Sequence, residues 1–257
     1  GPVDGDRRPG PSPEDSVSTA WETSQCCSTT PHVNDLARRL LAEFLGTAFL
    51  LVGVVGSGIM AERLADDVGL QLLANAAASV GVLYAVILMF GEVSGAHFNP
   101  AVTLAGILLQ NRPWVELGPY VVAQLAGGAV GVVAANLMFG LDPINISEKV
   151  RDGGGQYLGE LIATFGLVVL IFSLVRTGRS HLVASAVAAY IGGAYWFTSS
   201  TSFANPAVSV ARTLSDSFAG IRPGSAPMFI VMEFVGALLA VAAVRVLYPN
   251  DVDTKIS

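Results

Sequence analysis

The sequence predicts an all-α membrane protein with six transmembrane helices and two re-entrant half-helices in an inverted repeat. Of its 257 residues 52% are hydrophobic and 13% are charged, and the mean hydropathy is +0.58. A soluble domain carries roughly 25% charged residues, so this composition indicates an integral membrane protein. In addition, the segment Asn99–Thr103 (Asn-Pro-Ala-Val-Thr) recurs as Asn205–Ser209 (Asn-Pro-Ala-Val-Ser). That duplication predicts two equivalent structures in one chain.

Six apolar stretches are long enough to cross a bilayer as helices. They cover residues 40–60, 70–92, 115–139, 157–176, 181–199 and 226–248. Each approaches or exceeds the roughly 20 residues that the hydrocarbon core requires of a helix. We therefore expect a multi-pass protein embedded in the lipid bilayer.

Each Asn-Pro-Ala segment predicts the start of a short helix inside the membrane. Proline suits the first helical turn because it lacks an N–H group that would stay unbonded there, and the preceding asparagine can cap that turn. In hydrocarbon such a start is tolerated only where the free N–H groups line a cavity or meet protein. A helix from Asn99 to about Leu109 would be roughly 16 Å long, about half the membrane core.

The two segments belong to a longer internal repeat. The aligned pairs are 41–47 with 158–164 and 124–127 with 233–236. Each half reads as span, span, short helix, span, and three spans per half invert the second copy relative to the first. We expect repeat one over 38–139 and repeat two over 157–248, within a membrane domain of 36–249. The two short helices would then meet near the midplane.

Residues 1–35 and 250–257 are predicted to be tails. The first tail is rich in Pro, Gly, Ser and Asp and has no periodic apolar face, so we expect disorder. Its opening Gly1-Pro2 matches a pair that proteases leave when a tag is removed, so part of it need not be native. Cys26 and Cys27 are most simply two free thiols in this tail. The alternative is a vicinal pair that binds a soft metal or arsenic(III).

The distribution of charge excludes some classes of function. The net charge is −6, and the six acids and two arginines of residues 1–35 account for −4 of it. The remaining body is nearly balanced and has no basic patch, which argues against a nucleic-acid partner. No nucleophile, metal cluster or cofactor loop occurs at a spacing that catalysis needs, so we predict no enzyme and no cofactor.

The basic residues favour an orientation with both termini in the cytoplasm. That side would receive Arg38, Arg39, Arg112, Arg176, Arg179, Arg245 and Lys255. The opposite side would receive Arg63, Lys149, Arg151, Arg212 and Arg222. The excess on the first side follows the positive-inside rule.

Four parts of the sequence form a recognisable set. They are Ser94–Thr103 (SGAHFNPAVT), the second Asn-Pro-Ala at 205–207, and the glutamates Glu43 and Glu160 in the first span of each half. Together they resemble the aquaporin, or major intrinsic protein, family over residues 38–249. The resemblance implies a homotetramer with one pore per subunit in a bacterial inner membrane, and passage of a small polar solute down its gradient without a cofactor.

In such a pore the two short helices would place positive charge at the midplane. The residues concerned are Asn99, Pro100, Ala101, Asn205, Pro206 and Ala207. Each helix N-terminus carries about half a unit of positive charge, which disfavours cations and protons. This barrier is general to aquaporin-type pores and is not special to this sequence. The two asparagine amides would donate to the solute; the alternative is that they only cap their helices.

Glu43 and Glu160 are carboxylates inside apolar spans, where a charge is costly and by default indicates function. The resemblance implies that they accept hydrogen bonds from the loops that lead into the short helices. His97 would brace the first of these loops. The alternative is a proton-coupled secondary transporter that uses the two carboxylates.

The selectivity filter is where this sequence departs from the family. Water and glycerol channels carry an arginine three residues after the second asparagine, and this chain has Val208. Counting from the two boxes adds Ser79 (or Val80, with a one-residue gap), Gly193 and Ser202. Such a small, uncharged ring implies a wide filter. It is most similar to the bacterial branch associated with arsenic resistance, which implies arsenic acids or methylated arsenicals as solutes; glycerol and water are the alternative.

Arg212 follows Val208 by one helical turn on the same face, about 6 Å nearer the mouth of the pore. In that vestibule it would attract oxyanions without blocking the constriction. The alternative is an interfacial ion pair with Asp216, which also has i, i+4 spacing.

Overall fold

In the computed structural model, which describes Gly1 and residues 35–249, the chain forms eight α-helices over the described part. They are α1 Asp35–Leu64, α2 Val68–Ser94, α3 Pro100–Gln110, α4 Leu117–Met138, α5 Gly154–Arg176, α6 Val183–Phe197, α7 Pro206–Ala211 and α8 Ala226–Leu247. Single 3-10 turns cover Trp114–Glu116, Ser180–Leu182 and Arg212–Leu214. The predictions for the two tails, including Cys26 and Cys27, lie outside the described residues.

The predicted fold class is confirmed. Residues 35–249 contain helices and loops and no β-strand, and each half runs long helix, long helix, short helix, long helix. Five helices (α1, α2, α4, α5 and α8) are long and apolar enough to cross a bilayer. The fifth predicted span is shorter than expected, because α6 has 15 residues and ends at Phe197. The residues after it already form the loop that re-enters the membrane.

The short helices begin as the sequence predicts. Pro100 and Pro206 occupy the first turns of α3 and α7, behind the extended residues Asn99 and Asn205. The first half-helix has 11 residues, whereas α7 has six and continues as one 3-10 turn. The second half-helix is therefore the tighter and shorter of the two.

Glycines bring the first and last spans of each half into backbone contact. A Cβ atom at Gly127 in α4 would lie 2.2 Å from the carbonyl oxygen of Phe44 in α1. A Cβ atom at Gly236 in α8 would lie 2.4 Å from the carbonyl oxygen of Leu161 in α5. Small residues at helix crossings let backbones approach closely in membranes. The same crossing is thus built twice, once in each half.

The helices expose apolar side chains and bury polar ones. Leu88, Val122 and Leu238 are 58%, 66% and 50% exposed on α2, α4 and α8. In contrast, Glu160 and Gln124 are completely buried. An apolar exterior suits contact with lipid, and polar side chains inside such a bundle must find their partners there.

The connection between α4 and α5 lies against the segment that follows α7. The backbone N–H groups of Asn145 and Ser147 donate to the carbonyl oxygens of Leu214 and Thr213, at 3.0 and 2.9 Å. Further along, the N–H of Arg222 donates to the carbonyl of Lys149 at 2.8 Å. These bonds fix the position of Arg151 beside the second re-entrant loop.

Candidate pore

The tips of the two half-helices are joined by a reciprocal pair of hydrogen bonds. Nδ2 of Asn99 donates to the carbonyl oxygen of Ala204 at 2.7 Å. Nδ2 of Asn205 donates to the carbonyl oxygen of Phe98 at the same distance. Each asparagine therefore reaches across to the residue before its counterpart, and α3 and α7 meet head to head.

Both asparagines also cap their own helices. Oδ1 of Asn99 accepts from the N–H groups of Ala101 and Val102, at 2.9 and 3.4 Å. Oδ1 of Asn205 accepts in the same way from residues 207 and 208, at 3.0 and 3.3 Å. An amide nitrogen carries two hydrogens. One hydrogen of each side chain is used between the loops, so the second remains for a molecule in the adjacent cavity.

The loops before the half-helices have the same unusual backbone. Ala96 and Phe98 have φ values of +48° in the first loop, and Ser202 and Ala204 have +52° and +49° in the second. Left-handed backbone is strained for residues other than glycine. Alternation of left- and right-handed residues turns successive N–H groups inward and forms a concave anion site. Each loop is thus shaped to receive a carboxylate.

Glu43 occupies the first of these concave sites. Its Oε1 accepts from Ser94 Oγ at 2.6 Å and from the N–H of His97 at 3.0 Å. Its Oε2 accepts from the N–H of Phe98 at 2.7 Å and from Nε2 of Gln124 at 2.8 Å. Four donors surround this completely buried carboxylate, and they offset the cost of removing it from water.

Glu160 occupies the second site with fewer donors. Its Oε1 accepts from the N–H of Phe203 at 2.9 Å, and its Oε2 accepts from the N–H of Ala204 at 2.7 Å. The two glutamates hold equivalent positions in the two halves. Both tie the first helix of a half to the loop that carries its asparagine.

His97 connects the first loop to charged residues near one end of the pore. Nη1 of Arg112 lies 3.2 Å from Nε2 of His97, and Nδ1 of His97 lies 3.2 Å from Oγ1 of Thr103. Because arginine only donates, Nε2 must accept and Nδ1 must carry the hydrogen. Arg112 and Arg39 both pair with Glu116, at 2.9 and 2.8 Å. This charged group anchors the loop on that side.

A single cavity of about 370 Å³ passes between the helices and contacts both asparagines. At one end, called here the Arg112 end, it is lined by Gln110, Arg112 and His181. At the other, called the Arg212 end, it is lined by Ser202, Val208 and Arg212. Neither Glu43 nor Glu160 is among the described residues that line it.

The structure brings three of the four predicted filter residues to the cavity. Ser79, Ser202 and Val208 line it, and Ser79 Oγ lies 2.9 Å from the hydroxyl of Tyr195. The expectation for Gly193 is wrong, since Gly193 lies on the exposed face of α6. Ile191 and Tyr195 line the cavity instead, and a residue midway between them points away from that face of a helix. Counting residues from the Asn-Pro-Ala segment does not take account of which face of α6 each residue occupies.

Arg212 lies at the cavity and does not pair with Asp216. It is 2% exposed, its Nε donates to the carbonyl of Ala219, and its guanidinium stacks 3.5 Å from the ring centre of Phe203. Asp216 accepts instead from the N–H of Glu148 at 3.0 Å. The alternative ion pair between Arg212 and Asp216 is therefore not formed.

Arg151 supports the second re-entrant loop, a role that sequence reasoning missed. Its guanidinium donates to the carbonyl oxygens of Gly220, Ser200 and Phe218, at 2.8, 3.1 and 3.1 Å. It also lies 5.0 Å from the ring centre of Phe203, on which Arg212 stacks. Nothing in the pattern around an isolated arginine in a loop signals this role.

Lys149 adds a third cation near the same loops. Its Nζ donates to the carbonyl of Phe218 at 2.8 Å. Burial, together with repulsion from Arg151 and Arg212, lowers the pKa of Lys149 from 10.5 to about 8. Lys149 therefore stays mainly protonated at neutral pH, and three cationic side chains, Lys149, Arg151 and Arg212, lie close together near the Arg212 end.

A helical bundle with a cavity that contacts the tips of two opposed half-helices is the architecture of a membrane channel. The family model described as Major intrinsic protein matches residues 31–201, which is more than half of the chain. The chain belongs to this family. It is therefore an integral, multi-pass membrane protein, a passive channel for small solutes, and not an enzyme.

Individual relatives agree with this assignment. Over 211 residues the chain is 48% identical to Aquaglyceroporin AqpS of Rhizobium meliloti, covering 82% of this chain and 90% of that protein. Over 155 residues it is 29% identical to the Glycerol uptake facilitator protein of Streptococcus pneumoniae, covering 54% of this chain and 65% of that protein. The X-ray structure of the aquaglyceroporin from Plasmodium falciparum matches with a TM-score of 0.63 and 20% identity, covering 81% and 95% of the two chains. That last likeness supports the fold alone.

Proposed function

We propose that this channel has a wide, arginine-free constriction that admits glycerol-sized and larger polar solutes. The observation that carries the proposal is the presence of Val208 at the cavity wall, three residues after Asn205 in the first turn of α7. Valine presents neither charge nor hydrogen-bond donor, so nothing at this point selects for water alone. The names of the two bacterial relatives, an aquaglyceroporin and a glycerol facilitator, support solutes of this size.

The finer proposal concerns arsenicals. A neutral arsenic acid or methylated arsenical is a compact molecule with several hydroxyl groups, as glycerol is. The hydroxyls of Ser79 and Ser202 and the second amide hydrogens of Asn99 and Asn205 offer polar contacts along an otherwise apolar wall. A pore that combines these groups with the small side chain of Val208 suits such solutes.

The Arg212 end adds a preference for oxyanions or polar oxygens at the entrance. Arg212 replaces the charge that Val208 lacks, but the Phe203 ring holds its guanidinium beside the wall. Arg151 and Lys149 add positive charge to the same end. A positive vestibule raises the local concentration of anions and partial negative charges. On the predicted orientation, this vestibule faces outward.

Proton coupling through Glu43 or Glu160 is less well supported than passive flow. Glu43 has a donor on every available side, and the described residues place neither carboxylate at the cavity wall. A transport proton needs a group that solute and water can reach.

We further propose a homotetramer with one pore in each subunit, in a bacterial inner membrane.

Substitution at Val208 tests the width of the constriction. In proteoliposomes, Val208→Arg should lower glycerol flux about tenfold and leave water flux largely intact, because a guanidinium would narrow the passage and bind water. Val208→Leu adds bulk without charge and is the matched control. It should lower glycerol flux much less. If Val208→Arg passes glycerol and methylated arsenicals at the original rates, the constriction lies elsewhere.

A further inference from the structure

Glu233 is a third buried glutamate in the spans, and the function proposed above does not use it. It lies in α8, is completely buried, and occupies the position that Gln124 holds in α4 when the two halves are aligned. An amide in one half is thus replaced by a carboxyl group in the other. The comparison of the two environments shows what this carboxyl group must do.

In the first half Gln124 is a donor to two groups. Its Nε2 donates to Oε2 of Glu43 at 2.8 Å and to Oγ1 of Thr103 at 3.0 Å. Thr103 is the fourth residue after Asn99. The amide therefore links the glutamate in α1 to the half-helix α3 and completes the four donors around Glu43.

In the second half the residue aligned with Gln124 is Glu233, whose side chain has no N–H group to donate. Ser209, the fourth residue after Asn205, donates from its Oγ to Oε1 of Glu233 at 2.7 Å. Oε2 of Glu233 is buried and has no hydrogen-bond partner among the described residues. Because Gln124 bonds to Glu43 in the first half, the repeat places Glu233 beside Glu160, and the electrostatic coupling of the two carboxyl groups agrees with this. Glu160 receives only two backbone donors. Two facing carboxyl groups replace an amide and a carboxylate.

Two charges cannot be held side by side here at low cost. Both glutamates are fully buried, and adjacent carboxylates in such a place retain one proton between them. Arg212 acts on both glutamates from a distance. However, its guanidinium stacks on Phe203 and donates to Ala219, and within residues 35–249 it forms no ion pair with either. Arg212 therefore does not neutralise the pair by direct contact.

The assignment of the proton follows from the donors. Glu160 accepts on both oxygens from backbone N–H groups, so it is the carboxylate. Glu233 accepts on Oε1 and has Oε2 free to carry a hydrogen. We propose that Glu233 is a protonated positioning residue whose Oε2–H donates to Glu160, as the amide of Gln124 donates to Glu43. A carboxylic acid thereby holds the loop that carries Ser202 and Asn205.

This inference does not depend on which solute the channel passes. It concerns the bond that keeps the second re-entrant loop in place, and it predicts one bound proton per chain inside the membrane. The proton stays with the protein and is not transported.

Two substitutions and an infrared spectrum test the proposal. Glu233→Gln supplies N–H donors in the same shape and should keep glycerol flux within about twofold of the original protein. Glu233→Met has similar volume but no donor, and should lower flux about tenfold because Glu160 loses a partner. At pH 7 the intact protein should show the carbonyl stretch of a buried carboxylic acid, shifted in D₂O, and Glu233→Gln should remove it.

Each outcome has a definite meaning. Absence of the carboxylic acid band, or its persistence in Glu233→Gln, overturns the proposal. So does a Glu233→Gln variant that fails to fold or conducts as poorly as Glu233→Met, because a donor would then not be what the site needs. A Glu233→Met variant that conducts normally also overturns it. A Glu233→Met variant that does not fold, beside a Glu233→Gln variant that does, supports it.

Discussion

At the scale of single residues, the pore is defined by where its positive charge lies. The family arginine is absent at Val208, and Arg212 stands one turn further along, stacked on Phe203. Arg151, which lies in the connection between α4 and α5, contacts the same ring. A guanidinium held flat against an aromatic ring is stabilised by cation–π attraction and keeps its charge while leaving the passage open. In the function proposed above, this charge acts on what enters the pore and leaves the constriction wide.

Arg212 can be tested by separating its charge from its size. Arg212→Gln should lower the uptake of a small anion, such as formate, about threefold or more, because the local positive potential falls. Uptake of glycerol should change little. Arg212→Lys retains the charge and is the matched control, so its anion uptake should stay near the original value. Equal loss of anion and glycerol uptake in Arg212→Gln would reject the vestibule role.

At the scale of elements, the half-helices depend on the spans that hold them. A carboxylate from α1 or α5 fills a concave row of N–H groups before each half-helix, and a glycine on α4 or α8 lets those spans cross closely. The left-handed residues of the loops would be strained alone. Their conformation is kept because the carboxylate bonds and the close crossing occur together.

The crossing of α1 and α4 gives a prediction about stability. Gly127→Ala would place its methyl group 2.2 Å from the backbone oxygen of Phe44, so one helix must move. We expect a loss of about 1 to 3 kcal/mol in the free energy of unfolding, as for other overpacked sites. Gly118→Ala on the same helix meets no atom within 4 Å and is the control. Denaturant unfolding of the detergent-solubilised protein measures both, and equal stability of the two variants would contradict the close crossing.

The sequence predicts these elements unevenly. Asn-Pro-Ala marks the first residues of α3 and α7 well, because a cap followed by proline is a local signal. The length of α7 is not predictable in this way, since its end depends on the packing of Ala219 and its neighbours against Arg212. Counting from the second Asn-Pro-Ala segment predicts Gly193 at the pore, whereas the helical phase of α6 brings Tyr195 to the cavity. Arg151 and the donor role at Glu233 depend on contacts between distant segments, which a local pattern does not carry.

At the scale of the whole molecule, membership of the major intrinsic protein family and the continuous cavity define a conduit in which solute moves down its own gradient. The half-helices point their positive ends at the middle of the cavity. Fully buried glutamates support the loops from behind and stay off the cavity wall. The two supporting glutamates Glu43 and Glu160 thus stay off the solute path, whereas Asn99 and Asn205 belong both to the path and to the framework.

Passive flow predicts how the whole channel responds to a proton gradient. In proteoliposomes with an inside pH one unit above or below the outside pH, the glycerol flux should be the same within error. The final internal concentration should equal the external one, since neither of the buried glutamates Glu43 and Glu160 lines the cavity. A protein-free vesicle under the same gradient is the control. Accumulation of glycerol above the external concentration would establish coupling and exclude a simple channel.

The crosswise bonds from Asn99 to Ala204 and from Asn205 to Phe98 bear on how the protein is assembled. Neither asparagine can complete its bonds within its own half, because each acceptor belongs to the segment made more than a hundred residues away. During synthesis, the first re-entrant loop must therefore wait for the second before its centre is fixed. The contact between the two tips therefore forms only after both halves have been made, and a chain that stops after α5 cannot make it.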